Sequence, residues 1–257
     1  MEKTIMSIDI ALMNDISFWT GFYQDDPITW ASNKAYLDMN RTMTFRESDS
    51  GKTEKEKRAI QEKRNSWRNS VTEVIRNCIS EADKYSDFDR WHENTYKTIV
   101  AIYSDAKDEN GHSILVRRDG NKRTDEETTL SVGQAQKWLN MTLKYLWLLY
   151  RLGLLKEELS SFVRKHEASF HVPLDSYIIR YIKRESKQKR NKVFPDSNGL
   201  NNSYSIDGFS GSEWSKINCY GKYKKYQIEI REDLSKRNMI PLEWELEHWH
   251  KALVYYA

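Results

Sequence analysis

A lysine and an aspartate, each close to the predicted start of a helix, are the residues of this chain best suited to chemistry. Lys137 lies in a helix whose start is predicted by the capping-box pattern Ser131-x-x-Gln134. Asp175 follows Pro173 and precedes an apolar run, so it is predicted to begin the next helix. The partial positive charge and free N–H groups at a helix start favour an ionised carboxylate. Such an anion can stabilise the positive charge that builds on a sugar when an N-glycosidic bond breaks.

Lys137 has two possible roles beside this carboxylate. As a neutral amine it could attack the sugar C1′ and form a Schiff base, provided that burial or neighbouring cations favour the neutral form. Asn140 and Met141, one turn further along the helix, are not cationic, so that effect would have to come from tertiary contacts. As an ammonium, Lys137 could instead orient the substrate while Asp175 positions a water molecule.

Two tryptophans are candidates for the walls of a base-binding pocket. A base inside a duplex can be reached only if its nucleotide is extruded and received between aromatic or apolar side chains. Trp138 is next to Lys137, and Trp214 follows a long polar stretch. Most of the nine tryptophans are expected in the core.

The elements that must position these residues are predicted to be mainly helical. Only ten glycines and four prolines interrupt 257 residues, which favours long helices over many short strands. A polar loop is expected over 107–129, although Ile114-Leu115-Val116 could form a short strand, and a second long loop is expected over 191–211. Helices are predicted over 7–22, from Pro27 to about Met39, and over 54–85, 88–106, 131–152, 155–165, from 175 onward, 214–217, 223–237 and 241–256.

The charge is nearly balanced overall but unevenly distributed. Lysine and arginine exceed aspartate and glutamate by 41 to 38, which gives a formal net charge of +3. The densest cationic block runs from 183 to 192, directly after the Asp175 helix. Its residues Lys187, Lys189 and Arg190 could clamp DNA phosphates, while the alternative is a solvated helix face.

Around these residues the chain resembles the helix-hairpin-helix DNA glycosylases, particularly the 8-oxoguanine type and its archaeal form. Val172-Pro173-Leu174-Asp175 is similar to the family's Val-Pro-Val-Asp segment, whose aspartate is catalytic, and 130–137 resembles the hairpin that leads to the Schiff-base lysine. Ser131 stands where the family has proline, and one glycine of the hairpin is absent. The resemblance covers 128–184.

The resemblance implies a single helical domain over 1–257, built as a two-lobed bundle with the active site between the lobes, which could be 1–128 and 129–257. It assigns the catalytic role to Asp175 and the Schiff-base role to Lys137, and it assigns phosphate binding to the hairpin N–H groups of Ser131, Gly133 and Gln134. The expected partner is double-stranded DNA that contains a modified base, first an oxidised purine and alternatively a bulkier base. A monomer with no cofactor is expected, in DNA repair or in defence against foreign DNA, and the lyase step is left open.

Other function classes remain open at this stage. A non-enzymatic helical module could use the cationic block to bind nucleic acid or a protein partner, and a glycosidase or nucleosidase could act on small substrates. Asp175 could also be a plain helix cap.

Several features argue against metal and membrane functions. The two cysteines lack the spacing of a zinc site, and the pair His248-x-His250 near Glu245 and Glu247 does not share a helix face, so a solvated helix is expected there. Apolar runs are too short to cross a bilayer and the N-terminus lacks a signal-peptide pattern, which predicts a cytoplasmic location without membrane partners.

Overall fold

The computed structural model describes residues 26–119, 122–179 and 214–256. These ranges are mainly helical, with one small antiparallel sheet, as the composition predicts. The predicted helix over 7–22, the loop over 191–211 and the cationic block over 183–192 lie outside the described residues. The elements are α1 (Pro27–Met39), α2 (Glu54–Ser80), α3 (Phe88–Asp105), β1 (Leu115–Asp119), β2 (Lys122–Thr128), α4 (Val132–Arg151), α5 (Glu157–His166), α6 (Tyr220–Ser235) and α7 (Pro241–Tyr256).

Side-chain caps set the starts of four of these helices. Asp26 accepts a hydrogen bond from the N–H of Thr29 at 3.0 Å, with Pro27 at the first helical position of α1. Ser131 and Gln134 form the predicted capping box of α4, in which each side chain accepts from the backbone N–H of the other at 3.0 Å. Thr53 forms a capping box with Glu56 at the start of α2, and the side chain of Asp87 accepts from the N–H of Arg90 at the start of α3. These caps satisfy N–H groups that have no partner within the helix.

The helix α4 is the centre of the described structure. Sixteen of its twenty residues are buried, and residues 132–144 are buried without interruption. Of the other helices, α1 packs against it most extensively, followed by α3 and α5. The later, apolar part of the helix is also largely buried, through Leu146, Trp147 and Leu149. No helix in the described ranges is both long and apolar enough to cross a bilayer.

The start of α4 is closely packed against the turn at Trp214–Lys216. The N–H of Gly133 donates to the carbonyl of Ile217 at 2.9 Å. A Cβ atom at Gly133 would lie 1.8 Å from the carbonyl oxygen of Trp214. Only glycine allows this approach, and it brings Trp214 next to Lys137.

Within the polar loop predicted over 107–129, residues 115–119 and 122–128 instead form a β-hairpin, so the alternative of a short strand at Ile114-Leu115-Val116 is confirmed in part. Strands β1 and β2 pair antiparallel, with Leu115 opposite Thr128. The N–H of Val116 also donates to the carbonyl of Thr44 at 2.9 Å, and Leu115 is buried in the core. The prediction of a loop is wrong because these contacts come from residues some seventy positions away, which no local pattern reveals. A helix-hairpin-helix motif ending in α4 would need a helix directly before it, whereas here the strand β2 precedes α4.

Candidate functional site

A cleft beside α4 contains both residues that were selected from the sequence for chemistry. Its volume is about 530 Å³. It lies between α1, α4, α7, the start of the helix at 176–179 and the turn at Trp214–Lys216. Its walls are formed by Leu37, Asp38, Arg41, Lys137, Met141, Lys144, Tyr145, Leu148, Asp175, Ser176, Tyr177, Trp214, Glu245, Leu246 and Trp249.

Lys137 and Asp175 form an ion pair in this cleft. The lysine Nζ lies 3.1 Å from the aspartate Oδ2, and the side chains are only 6% and 14% exposed. The same Oδ2 accepts a hydrogen bond from Nε1 of Trp249 at 3.1 Å, and Oδ1 accepts from the N–H of Ile178 at 2.8 Å. Asp175 therefore caps the helix, as predicted, and also faces the cleft.

These contacts keep the Asp175 carboxylate ionised. Burial by itself would raise its pKa, but the Lys137 ammonium, the N–H of Ile178 and the indole N–H of Trp249 together hold the pKa of Asp175 below its ordinary value. Lys137 acts as the counter-ion in this arrangement. An ammonium that donates to a carboxylate has no lone pair to offer, so Lys137 can act as a nucleophile only after losing a proton.

A second buried ion pair lines the same cleft. Lys144 is two turns after Lys137 on the same side of α4, and its Nζ lies 2.5 Å from Oε2 of Glu245. The two side chains are 9% and 1% exposed. Burial raises the pKa of Glu245, although Lys144 opposes this shift. The prediction that Glu245 belongs to a solvated helix face is wrong, because α7 packs this side of the helix against α4.

Neither carboxylate belongs to a metal site in the described ranges, where no group of three or more potential ligand residues is found. Lys144 could have been found from the sequence, since it follows Lys137 at i+7 on the same helix face. Glu245 and Trp249 could not, because nothing in the sequence near them indicates which helix they contact.

The two predicted pocket tryptophans have different locations. Trp214 lines the cleft, with its ring centre 5.9 Å from Nζ of Lys137. Trp138 is fully buried in the core, where its Nε1 donates to the carbonyl oxygen of Ser32 at 3.2 Å. The prediction for Trp138 is wrong, because one residue along a helix rotates the side chain by about 100° and so directs it to α1. Trp249 provides a second aromatic wall of the cleft.

The predicted phosphate contacts at the start of α4 already have protein partners. The N–H groups of Ser131 and Gln134 are used in the capping box, and that of Gly133 is bonded to Ile217. Their role in DNA binding stays a prediction, and it would require other atoms of these residues. Lys187, Lys189 and Arg190 lie outside the described residues.

A second polar cluster, called here the sealed network, holds the segment that leads to Asp175. Asn140 of α4 donates to the hydroxyl of Tyr223 at 2.8 Å, and that hydroxyl bonds Nδ1 of His171 at 2.8 Å. The other nitrogen of His171 bonds Asp89 at 2.7 Å. Further bonds in the cluster join Asn140 to His92 and Gln136, His92 to Tyr220, Asp89 to Arg231, and Gln227 to both backbone groups of Val172.

The sealed network explains how His171 is used. Burial lowers its pKa to about 4, although Asp89 opposes this shift, so the imidazole is neutral near pH 7. No catalytic role was predicted for His171. His171 is connected to α4 by two hydrogen bonds, through the hydroxyl of Tyr223 to Asn140. This connection fixes the backbone before Asp175 and so helps to orient the carboxylate toward the cleft.

Comparison with models of protein families, with curated proteins and with solved structures finds no match to this chain.

Proposed function

We propose that this protein is a DNA glycosylase, which receives an extruded modified base in the cleft and breaks its N-glycosidic bond. One observation carries the proposal. Lys137 and Asp175 lie 38 positions apart in the sequence, yet their side chains meet at 3.1 Å on the wall of an open cleft.

Asp175 supplies the charge that the reaction needs. As the bond from C1′ to the base nitrogen breaks, its electron pair leaves with the base and positive charge develops on the sugar. An anion that is already ionised and oriented stabilises this charge without reorganising. The carboxylate directs the attack of a water molecule, whose oxygen then bonds to C1′. The water loses one proton and the departing base gains one, so the charges balance.

Hydrolysis by water fits the cleft better than a Schiff base. Lys137 balances the carboxylate and has a proton on its Nζ, which favours an orienting role over a nucleophilic one. The lyase step would require transfer of this proton to another group. We therefore propose base removal as the main activity.

The walls of the cleft suit a nucleobase. Trp214 and Trp249 provide aromatic surfaces, and their rings are each 5.9 Å from a lysine Nζ. Lys144 and Glu245 place a donor and an acceptor in the interior, where they could bind the polar edge of a base. The volume of about 530 Å³ is within the usual range for sites that bind small molecules.

The test is a panel of duplexes that each contain one altered base, incubated with the protein and then treated with alkali to reveal abasic sites. Wild-type protein should produce strand breaks in at least one duplex. Asp175→Asn should lower the rate on the order of 10²–10³-fold, because the anion is lost. Asp83→Asn, in an exposed aspartate that pairs with Lys165, is the matched control and should retain the rate.

Borohydride trapping separates the two modes of Lys137. A trapped protein–DNA adduct that is absent in Lys137→Met would show the Schiff base, whereas abasic product without an adduct would show hydrolysis. No product with any duplex, or an unchanged rate in Asp175→Asn, would contradict the glycosylase. DNA binding without turnover would then favour the non-enzymatic module.

A further inference from the structure

A second groove lies next to the cleft and differs from it in charge. Its volume is about 800 Å³, and it runs between the β-hairpin, the start of α4 and the turn at Trp214–Lys216. Arg41 lines both the groove and the cleft, so the two are adjacent. The groove is lined by Arg41, Thr42, Met43, Thr44, Leu115, Val116, Arg117, Arg118, Thr128, Thr129, Leu130, Ser131, Gln134, Ser215, Lys216 and Asn218.

The lining contains four basic side chains and no carboxylate. The cleft, by contrast, has three basic and three acidic side chains on its walls. Arg117 is balanced by Glu126, whose carboxylate lies 2.8 Å away. Within the described ranges, Arg41 and Arg118 form no ion pair, and both are exposed. The groove is therefore a strip of positive potential in a protein of nearly balanced charge.

The neutral residues of the groove also suit a phosphate chain. Six threonine and serine hydroxyls and two side-chain amides lie among the basic residues, beside a short apolar floor at Leu115 and Val116. Four of the hydroxyls also donate to backbone carbonyls, and their oxygens are held in place by these bonds. Hydroxyl, amide and arginine groups make most of the contacts that proteins form with phosphate oxygens. A surface of this composition binds a backbone without selecting a sequence.

We infer that this groove binds the phosphate backbone of the DNA strand whose nucleotide enters the cleft. The inference rests on the proposed function for the identity of the strand. A strand has one charge about every 3.4 Å, so the phosphates next to an extruded nucleotide must lie close to the mouth of the cleft. Arg41 is located at that mouth, and Arg118 continues the positive strip along the hairpin. The hairpin thus replaces the α4 N–H groups as the phosphate-binding element.

The test measures binding of a fluorescein-labelled duplex with no altered base, by anisotropy over a series of salt concentrations. In Arg41→Gln/Arg118→Gln, the slope of log affinity against log salt should fall by about 2, one for each lost phosphate contact. Affinity at low salt should fall at least tenfold. Arg90→Gln/Lys97→Gln, two exposed basic residues of α3 outside both cavities, is the matched control and should retain the slope and affinity.

Two results would overturn the inference. One is an equal slope in the groove variant and the control variant, with both folded as judged by circular dichroism. The other is competition by a polyglutamate peptide as effective as that by unlabelled DNA, which would indicate an acidic protein partner. The binding assay needs no turnover, so its outcome is separate from that of the glycosylase. A reduced slope without abasic product would support phosphate binding in the groove and contradict the glycosylase activity. An unchanged slope with abasic product would support the glycosylase activity and contradict phosphate binding in the groove.

Discussion

Two buried polar clusters lie on different faces of α4, and they differ in what their polar atoms face. In the sealed network, Asn140, His171 and Tyr223 are buried and bond to one another. In the cleft, Lys137 and Asp175 also pair, but they line an open cavity. One cluster has neutral side chains in its interior and the partly exposed ion pair of Asp89 and Arg231 at its margin. The other keeps two full charges at the edge of a space that a ligand could enter.

The comparison separates structural polarity from functional polarity. Burial lowers the pKa of His171 and so keeps its imidazole neutral. A neutral side chain is sufficient to fix a backbone segment through hydrogen bonds. Burial alone would also neutralise Asp175, yet the surrounding donors preserve its charge. Such an arrangement costs desolvation energy and is weak evidence for stability, so its orientation toward a cavity favours a role in chemistry. The four predictions below can contradict or refine this separation.

Removing one charge of the ion pair in the cleft should have one of the two largest effects on stability. Lys137→Met leaves the Asp175 carboxylate buried without its counter-ion, which should lower the free energy of unfolding by about 3 kcal/mol. Adding Asp175→Asn removes that charge and should restore about 2 kcal/mol, measured by urea unfolding as a double-mutant cycle. The exposed pair of Lys165 and Asp83 should show no coupling. Additive effects in the cleft would mean that the ion pair does not exist in solution.

Asn140→Leu tests the sealed network. The change leaves Gln136, His92 and Tyr223 without a partner for one group each, and should lower the free energy of unfolding by about 3 kcal/mol. Activity per folded molecule should stay within a few-fold of wild type. The control is Asn65→Leu, where the asparagine accepts one bond from Gln61 on an exposed helix face. A specific loss of turnover, with little change in stability, would show that Asn140 acts in catalysis together with the residues of the cleft.

Acid should destabilise the protein through the sealed network. His171 is neutral in the folded state down to a pKa of about 4, whereas an unfolded histidine titrates near pH 6.5. Its stabilising contribution is therefore complete above about pH 6.5 and is lost as the pH falls toward 4, at up to about 1.4 kcal/mol per pH unit. Asp89 and Arg231 are the charged groups beside it.

His171→Gln should reduce this slope, and the exposed His112→Gln should not, as urea unfolding at several pH values would show. His92 and His166, whose pKa values burial also lowers, should contribute to the slope that remains. The carboxylate of Asp175 should add nothing in this range, because its folded pKa is below the ordinary value and its contribution is lost only at lower pH. A flat wild-type profile from pH 6.5 to 4 would contradict the neutral network.

Trp249→Phe should have the smallest effect. The variant keeps an aromatic wall but removes the N–H that donates to Oδ2 of Asp175. One hydrogen bond to a charged group is lost, so the rate of base removal should fall about tenfold. Trp138→Phe removes a comparable N–H in the core and should change stability but leave the rate. Equal effects of the two variants on the rate would show that Trp249 does not act through Asp175.

Local sequence patterns predicted much of this structure where one short segment contains all the necessary information. The capping boxes gave the start of α4, and the periodicity of apolar residues gave the helices around it. Asp175 was found because a helix cap needs only its own first turn. Of the hairpin at 115–128, only a possible short strand at Ile114-Leu115-Val116 was predicted, since its apolar residues gain their packing from Thr44 and Phe45.

The sequence by itself determined that the chain is mainly helical, that Lys137 lies near the start of one helix and that Asp175 begins another. The tertiary structure alone decided that these two side chains share a cleft, that Trp214 lines it while Trp138 enters the core, and that Glu245 is buried against Lys144. The physical reason is that caps and periodicity act within a few residues. Ion pairs and cavity walls depend on how helices distant in the sequence rotate and pack against one another.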